Sequence, residues 1–227
     1  MRLREAPSPN HDARPEGLPV DMLVLHSTGM PDEAAARARL TDPASEVSAH
    51  YLVAEDGAVL RLVPEARRAW HAGVSHWRGH EALNARSIGI EIVNPGHDWG
   101  YREFPALQMG AVSALCRDIL ARHPIPAHNV VAHSDIAPDR KRDPGELFDW
   151  EGLAREGVGS WPPPWDGPAP EPAEVPALLA RIGYRPGLPL PVLLAAFQRH
   201  WRPERVDGIP DAGTRARLAA VAAASPP

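Results

Sequence analysis

Five short apolar runs bounded by turn-forming residues predict the strands of a β-sheet. The runs cover residues 21–26, 49–54, 58–63, 87–93 and 129–133. The second and third are separated by residues 55–57, Glu-Asp-Gly, and Asp-Gly between two such runs is a strong hairpin signal. The first and last runs end in His26 and His133. The pattern therefore predicts two strands that each carry a histidine at the carboxyl end.

Helical patterns lie between these runs. Pro31 and the acidic residues after it open an alanine-rich stretch that ends near Leu40, as is typical of a helix start. Apolar residues recur every four positions in a second stretch that ends at Arg122, which predicts an amphipathic helix. The expected buried stripe of this helix is Leu107, Ala111, Leu115 and Ile119. Strands that alternate with helices predict an α/β domain, a central sheet flanked by helices.

The remaining segments of this part show no periodicity. Residues 70–84 are rich in His and Trp, and residues 134–145 are polar. Both segments are expected to be loops.

The composition changes after residue 150. Residues 161–172 contain six prolines in twelve positions, which favours an extended, semi-rigid spacer. Helical patterns follow at 175–182, 191–201 and 214–224. The predicted division is residues 1–158, a Pro-rich linker at 159–172, and a small all-α unit of three helices at 173–227. We expect a chain that ends near residue 158 to fold by itself.

The charge balance excludes some classes of partner. There are 24 Lys and Arg residues against 29 Asp and Glu, a net charge of −5 with a pI near 6.1. Such a chain has no broad positive field for nucleic acid. No stretch free of these four residue types exceeds 13 residues, so no membrane-spanning helix is expected. The oligomeric state is not indicated.

The amino terminus and the cysteine content bear on location. Glu5 and the polar residues 7–12 stand where the apolar part of a signal peptide would be. Cys116 is the single cysteine, so no internal disulfide can form. We expect a cytoplasmic location, with the cell envelope as the alternative.

Two strand-end histidines and one aspartate are candidates for a metal site. His26 and His133 end apolar strands, where α/β sheets usually place ligands and catalytic groups. Asp143 follows His133 after ten residues, in a loop long enough to fold back. Two neutral imidazoles and one carboxylate can bind Zn²⁺ and leave a fourth position for water. Spacing alone also allows the simpler alternative that each histidine is structural.

Three further positions are candidates for chemistry. Glu91 interrupts an apolar strand, and a buried carboxylate is costly unless it is paired, so it either faces a polar site or the assumed strand register is different. Lys141 lies two residues before Asp143 and could equally belong to a solvated, charged loop. Residues 70–71, Trp-His, could form a ligand-facing edge or an ordinary buried turn.

Several segments taken together resemble one known family. They are residues 25–29, 48–53, 69–73, 84–91, 133–138 and 141–145. They are similar to the zinc-dependent N-acetylmuramoyl-L-alanine amidases of type 2, which are relatives of phage amidase lysozymes and peptidoglycan recognition proteins. The resemblance runs from about residue 18 to 150, in the order found in the family. One departure is Ser27, where many relatives carry a bulkier residue.

The resemblance implies a role for each candidate. It implies that His26, His133 and Asp143 bind one Zn²⁺ per chain, that Glu91 is the catalytic acid and base, and that Lys141 stabilises the oxyanion. The residues it implies for substrate binding are His50, Trp70, His71 and Asn84. The substrate would be peptidoglycan or a muropeptide, and the bond cleaved would be the amide between the lactyl group of N-acetylmuramic acid and L-alanine.

Two other functions are alternatives to this one. A non-catalytic peptidoglycan recognition protein would bind the same ligand, but it is expected to lack at least one zinc ligand, and this chain keeps all three candidates. A Cys/His hydrolase would use Cys116, which lies inside a predicted helix where burial raises the pKa of a thiol.

The tail has a weaker resemblance of its own. The residues at 183–184, 196–198, 207–208, 211, 214 and 218 are similar to those of the three-helix peptidoglycan-binding module of wall hydrolases. The alternative is a helical cap that packs on the catalytic part. A wall-binding module would favour polymeric substrate in the envelope, whereas the missing signal peptide favours soluble muropeptides.

Overall fold

The computed structural model describes residues 3–226 and has an α/β architecture. Its strands are β1 Leu3–Glu5, β2 His11–Ala13, β3 Met22–Ser27, β4 Tyr51–Val53, β5 Val59–Arg61, β6 Arg67–Ala69, β7 His76–Trp77, β8 His80–Glu81, β9 Ser87–Ile92 and β10 Val130–Ala132. Its α-helices are α1 Glu33–Thr41, α2 Gly96–Trp99, α3 Ala106–Arg122, α4 His133–Ile136, α5 Trp150–Arg155, α6 Val175–Ile182, α7 Leu190–Trp201 and α8 Ala212–Ala224. Within residues 3–226, no helix combines the length and the apolar character needed to span a membrane.

A six-stranded sheet forms the centre of the fold, in the order β1-β5-β4-β9-β3-β10. The strands β4, β9, β3 and β10 run parallel to one another, and β5 pairs with β4 in the antiparallel hairpin predicted from Asp-Gly. Every residue of β3 is buried. A parallel strand covered on both faces needs a continuous apolar sequence, which is the pattern read from residues 21–26.

The two faces of the sheet contact different parts of the chain. Leu23 and Leu25 belong to a core cluster with residues of α3 and α5, whereas Met22 and Val24 pack in a cluster with residues of the tail. Side chains alternate between the faces of a strand. His26 therefore lies on the same face as Met22 and Val24, the face toward α4 and the tail.

The long helix α3 ends at Arg122 as predicted, but its buried face is rotated from the predicted stripe. Leu107 is 73% exposed. The buried residues are Gln108, Val112, Ser113, Leu115, Cys116 and Ile119. A strict four-residue repeat drifts around a helix of 3.6 residues per turn, so the stripe could not stay on one face. The Gln108 amide is buried because it donates to the carbonyl oxygens of Val53 and Val93 at 3.1 and 2.8 Å.

Both segments expected to be loops contain short elements. Residues 70–84 include the hairpin of β7 and β8, whose turn places Arg78 and Gly79 at positive φ. The hairpin forms because Trp77 is buried against the tail cluster. The segment after β10 opens with α4 instead of a loop, and the Asp135 side chain accepts from the Ala132 backbone amide at its start.

The three predicted tail helices are present as α6, α7 and α8, and they pack directly on the rest of the chain. One apolar cluster joins Val24 and Trp77 with tail residues such as Phe197. The Pro-rich segment also lies against the tail: the Trp161 ring stacks on Trp201 at 5.7 Å, and the Arg217 guanidinium lies 4.1 Å from the Trp161 ring centroid. The segment therefore does not hold the tail away from the first part, contrary to the expectation of a spacer.

This shared cluster predicts that the chain unfolds as one unit. Phe197 is fully buried in the cluster, so Phe197→Ala should lower the free energy of unfolding by about 3–5 kcal/mol. Urea unfolding gives this value, and hydrogen exchange at the backbone amides of β3 and β9 reports on the sheet. The matched control is Ile209→Ala at an exposed position of the tail, with an expected change within about 0.5 kcal/mol. Unchanged protection of β3 and β9 in Phe197→Ala would mean that the tail folds independently.

Candidate metal centre and catalytic cavity

The strand register places the candidate residues next to one another. His26 on β3 is paired with Glu91 on β9, and neighbouring strands lie about 4.8 Å apart. On the other side of β3, Ala132 of β10 pairs with Leu25, so His133 follows directly beside His26. Parallel strands thus bring to one edge of the sheet three residues that are far apart in sequence.

Three ligand-type atoms converge at this edge. His26 Nδ1 lies 2.9 Å from His133 Nδ1, and Asp143 Oδ2 lies 3.0 Å from His133 Nδ1 and 3.3 Å from His26 Nδ1. The two imidazoles are buried and the carboxylate is partly exposed. Among residues 3–226, this is a group of side chains that could hold a metal ion.

The hydrogen bonds around His26 fix which ring nitrogen carries its proton. Ser87 Oγ donates to the carbonyl oxygen of Leu83 at 2.7 Å, so it accepts from His71 Nε2 at 3.2 Å. The other His71 nitrogen, Nδ1, is then an acceptor, and His26 Nε2 donates to it at 3.0 Å. Since neutral imidazole carries one proton, His26 Nδ1 presents a lone pair to the group.

His133 also turns its Nδ1 toward the group and uses its Nε2 for a hydrogen bond on the other side. Its Nε2 donates to the carbonyl oxygen of Ala72 at 3.3 Å, which leaves Nδ1 with a lone pair. Histidines that bind metal usually donate their other N–H to a carbonyl or a carboxylate in this way. The Asn84 side chain holds that carbonyl in place, because its Oδ1 accepts from the amides of His71 and Ala72 at 3.1 and 2.7 Å.

The charges complete a donor set that fits a metal ion. Burial lowers the pKa of His26 to about 4 and that of His71 well below its usual value, so both rings are neutral at pH 7. Asp143 Oδ2 supplies the third ligand atom, from a carboxylate. Tetrahedral ligands at about 2.1 Å from a zinc ion lie about 3.4 Å apart. The three atoms here are nearly at that separation.

Glu91 is a carboxyl group without a hydrogen-bond partner at one of its oxygens. Its Oε2 is buried and unpaired within the part of the chain that the structure describes. Burial, and then the charge of Asp143, raise its pKa to about 8, while Lys141 opposes the shift. A carboxyl whose pKa lies near neutrality can both accept and return a proton, as general acid–base catalysis requires.

A cavity of about 150 Å³ opens on this group. The predicted site residues that line it are Trp70, His71, Glu91, His133, Lys141 and Asp143. Ser27, the departure from the family pattern, also lines it, and α1 contributes Ala36, Arg39 and Leu40 to its wall.

His50 and Asn84 are not among the residues that line the cavity. His50 is fully buried beneath the sheet: its Nδ1 accepts from the Gly89 amide at 3.0 Å and its Nε2 donates to the carbonyl oxygen of Arg67 at 3.1 Å. Burial lowers its pKa to about 3. His50 therefore contacts the backbone of the sheet, and Asn84 holds the backbone of residues 71–72.

Three structural features that contribute to the site were not predicted from the sequence. They are the hydroxyl of Ser87, the carbonyl of Ala72 and the missing side chain of Gly89. A Cβ on Gly89 would lie 2.5 Å from His71 Cγ. The His71 imidazole therefore packs against β9 at a position where any larger residue would clash with it. A glycine inside an apolar strand indicates such a close approach and could have been noticed. No sequence signal marks the other two.

Cys116 is fully buried in α3, and burial raises its pKa to about 12. Its thiol is therefore protonated at neutral pH, and a thiolate nucleophile at this position is excluded.

Comparison with known sequences gives a consistent family. The family model described as N-acetylmuramoyl-L-alanine amidase matches residues 16–146. The chain is 41% identical over 224 residues to N-acetylmuramoyl-L-alanine amidase AmiD of Escherichia coli (strain K12), covering 87% of this chain and 80% of that protein. It is 38% identical to 1,6-anhydro-N-acetylmuramyl-L-alanine amidase AmpD of Salmonella typhimurium (strain SL1344), covering 66% of this chain and 87% of that protein.

Solved structures with the same fold support the assignment. AmiD from Escherichia coli, in complex with the substrate anhydro-N-acetylmuramic acid-L-Ala-D-gamma-Glu-L-Lys, superimposes with a TM-score of 0.82 at 38% identity, covering 91% of this chain and 90% of that chain. AMPDH3 from Pseudomonas aeruginosa, in complex with anhydromuramic pentapeptide, gives 0.81 at 36% identity, with coverage of 91% and 93%. The α/β fold with its helical tail is thereby confirmed, and the chain belongs to the N-acetylmuramoyl-L-alanine amidase family.

Proposed function

We propose that this protein is a zinc-dependent amidase that hydrolyses the amide between the lactyl group of N-acetylmuramic acid and L-alanine, in peptidoglycan or in (anhydro-)muropeptides. The observation that carries the proposal is the convergence of His26, His133 and Asp143 at a cavity that the Glu91 carboxyl also lines. The two relatives with structures bind an anhydromuramic peptide, which supports a substrate of this class. A non-catalytic recognition protein would have no use for the unpaired acid.

The metal ligands would be His26 Nδ1, His133 Nδ1 and one carboxylate oxygen of Asp143, with one Zn²⁺ per chain. When bound, zinc lowers the pKa of a water molecule from 15.7 toward about 7 and polarises the scissile carbonyl. The protein's own contribution is to keep the His26 imidazole neutral and to hold the Nδ1 atoms of both histidines at one point.

Glu91 would move the proton during hydrolysis. As a carboxylate it accepts a proton from the attacking water while the new C–O bond forms at the lactyl carbonyl carbon. As a carboxylic acid it then returns that proton to the L-alanine nitrogen, because an amine leaves only when protonated. The C–N bond breaks, and the products are a lactyl carboxylate and a peptide with a free amino terminus.

Lys141 would stabilise the negative charge that develops on the carbonyl oxygen. It lines the same cavity, and its charge opposes the rise in the pKa of Glu91, so the ammonium acts on the reacting groups. A fixed cation in a partly dry cavity stabilises such an oxyanion more strongly than water does. Trp70 and His71 would contact the substrate, since both line the cavity.

The proposed metal ligands, the catalytic residues and the substrate-contacting residues all lie before residue 158. We therefore assign catalysis to residues 1–158, connection to residues 159–172 and a helical unit to residues 173–227. Binding of wall polymer by the helical unit stays a prediction beside the alternative of a cap. The contacts of the helices with the sheet favour the cap.

Metal binding is tested by removing one ligand. His133→Ala should lose zinc and turnover together, because two remaining ligands cannot hold the ion in a catalytic site. Elemental analysis gives the metal content, expected at about one zinc per chain in the parent, and mass spectrometry detects the peptide with a free L-alanine amino terminus. His80→Ala, at an exposed position of β8, is the matched control and should keep both. Full amidase activity in protein free of metal would disprove the proposal.

The acid–base role is tested by Glu91→Gln, which keeps the shape of the side chain but cannot exchange a proton. The variant should retain zinc and lose about 10²–10⁴-fold in kcat. Steady-state kinetics on a soluble anhydromuropeptide gives the value, and Glu103→Gln, at an exposed site, should be unaffected. Near-normal kcat in Glu91→Gln would assign the proton transfer to another group.

The raised pKa of Glu91 has a separate consequence for the stability of the zinc-free protein. Between its ordinary pKa of 4.5 and about 8, the folded chain holds a proton on Glu91 that the unfolded chain releases, so stability falls progressively as pH rises from 4.5 and the loss is complete above about pH 8. Glu91→Gln removes this loss. The Tm of the variant relative to the parent should therefore be higher at about pH 9 than at about pH 5. Thermal denaturation measures both, and an equal Tm difference at the two pH values would contradict the assigned pKa.

A further inference from the structure

The short helix α4, which carries His133, is held at its start by one buried carboxylate. Asp135 has no exposed surface, and its Oδ2 accepts from the Ala132 backbone amide at 2.8 Å. Ala132 is the residue before His133, so this hydrogen bond fixes the turn from β10 into α4. The direction in which His133 leaves the backbone depends on that turn.

The other partners of this carboxylate come from the tail. The Tyr184 hydroxyl donates to Asp135 Oδ1 at 2.6 Å, and His200 Nδ1 donates to Asp135 Oδ2 at 2.6 Å. Both residues are almost completely buried. The His200 ring is stacked between the rings of Trp150 and Trp201, with centroid distances of 3.8 and 4.0 Å. The donors are therefore held rigidly, and they reach a residue about 50 to 65 positions earlier in the chain.

We propose that Asp135, Tyr184 and His200 form a positioning cluster through which the tail sets the metal affinity of His133. This inference rests on the proposed zinc function. A buried carboxylate is costly unless hydrogen bonds satisfy it, and two of its three hydrogen bonds here come from the tail. Without them the carboxylate must find water or another conformation, and the turn that it holds at Ala132 changes with it. Groups that orient a metal ligand typically contribute 10- to 100-fold in metal affinity.

The three residues are positioning residues, because none of them is among the metal ligands or the residues that line the cavity. In this arrangement the tail is part of the metal centre's support, whether or not it also binds polymer. Its contacts reach the backbone one residue from a ligand.

The test compares two variants of the cluster with a variant elsewhere in the tail, all in the full chain. Tyr184→Phe removes one oxygen atom and keeps the ring that packs on Trp77 at 5.3 Å. His200→Phe removes the donor and keeps a ring for the stack. The control is Arg217→Met, since Arg217 ties the tail to Trp161 and to the carbonyl oxygen of Pro162 without touching α4.

The measurements are the dissociation constant of zinc, by competition with a chelator, and the Tm of the zinc-free protein. Tyr184→Phe and His200→Phe should bind zinc about 10- to 100-fold more weakly than the parent. Arg217→Met should lower the Tm and leave zinc affinity unchanged.

Unchanged zinc affinity in Tyr184→Phe overturns the inference, and this mild variant decides the matter if His200→Phe does not fold. An equal loss of affinity in Arg217→Met also overturns it, because general loosening of the tail would then explain the effect. A parent protein that binds no zinc at all overturns the proposed function, which is a different result.

Discussion

The site depends on three lone pairs that face one point inside the protein with no proton between them. Such an arrangement is unfavourable by itself, because two imidazole nitrogens and a carboxylate oxygen about 3 Å apart repel one another. It persists because each ring is held by a hydrogen bond on its far side. His133 donates to the carbonyl of Ala72, and His26 donates to a short chain of acceptors that ends at Leu83. A cation at that point would be attracted by all three atoms, so the arrangement favours binding of a metal ion.

The sheet makes this geometry possible. Parallel pairing of β10, β3 and β9 places His133, His26 and Glu91 at one edge, and both histidines are buried there. The same burial has opposite effects on the two kinds of acid–base group: it lowers the pKa of His26, so that this imidazole stays neutral, and raises the pKa of Glu91. One environment thus supplies a neutral imidazole ligand and a carboxyl that can exchange a proton near pH 7.

The tail packs on the sheet and supplies hydrogen-bond donors to a buried carboxylate. A Pro-rich segment suggests a spacer when only its composition is considered, but Trp161 and Arg217 fold it back onto the helices. Once the tail is docked, its apolar residues share a cluster with the sheet, and Asp135 accepts from Tyr184, in the connection between α6 and α7, and from His200 of α7. The folding of the first part and the placement of the tail are therefore coupled through both apolar and polar contacts.

Local patterns in the sequence determined five of the ten strands, the end of α3, the three tail helices and the histidines at the strand ends, because apolar runs and helical periodicity are local features. The short strands β1, β2, β6, β7 and β8 were not predicted. The family could be identified from short segments in a fixed order. The tertiary structure alone decided which nitrogen of each histidine is free, that His50 and Asn84 lie outside the cavity wall, that Leu107 faces solvent, and that the tail holds Asp135. Each of these depends on a partner distant in sequence: His26 and His133 are 107 residues apart. The direction of a hydrogen bond between such partners is set by packing, and no local pattern of residues carries it.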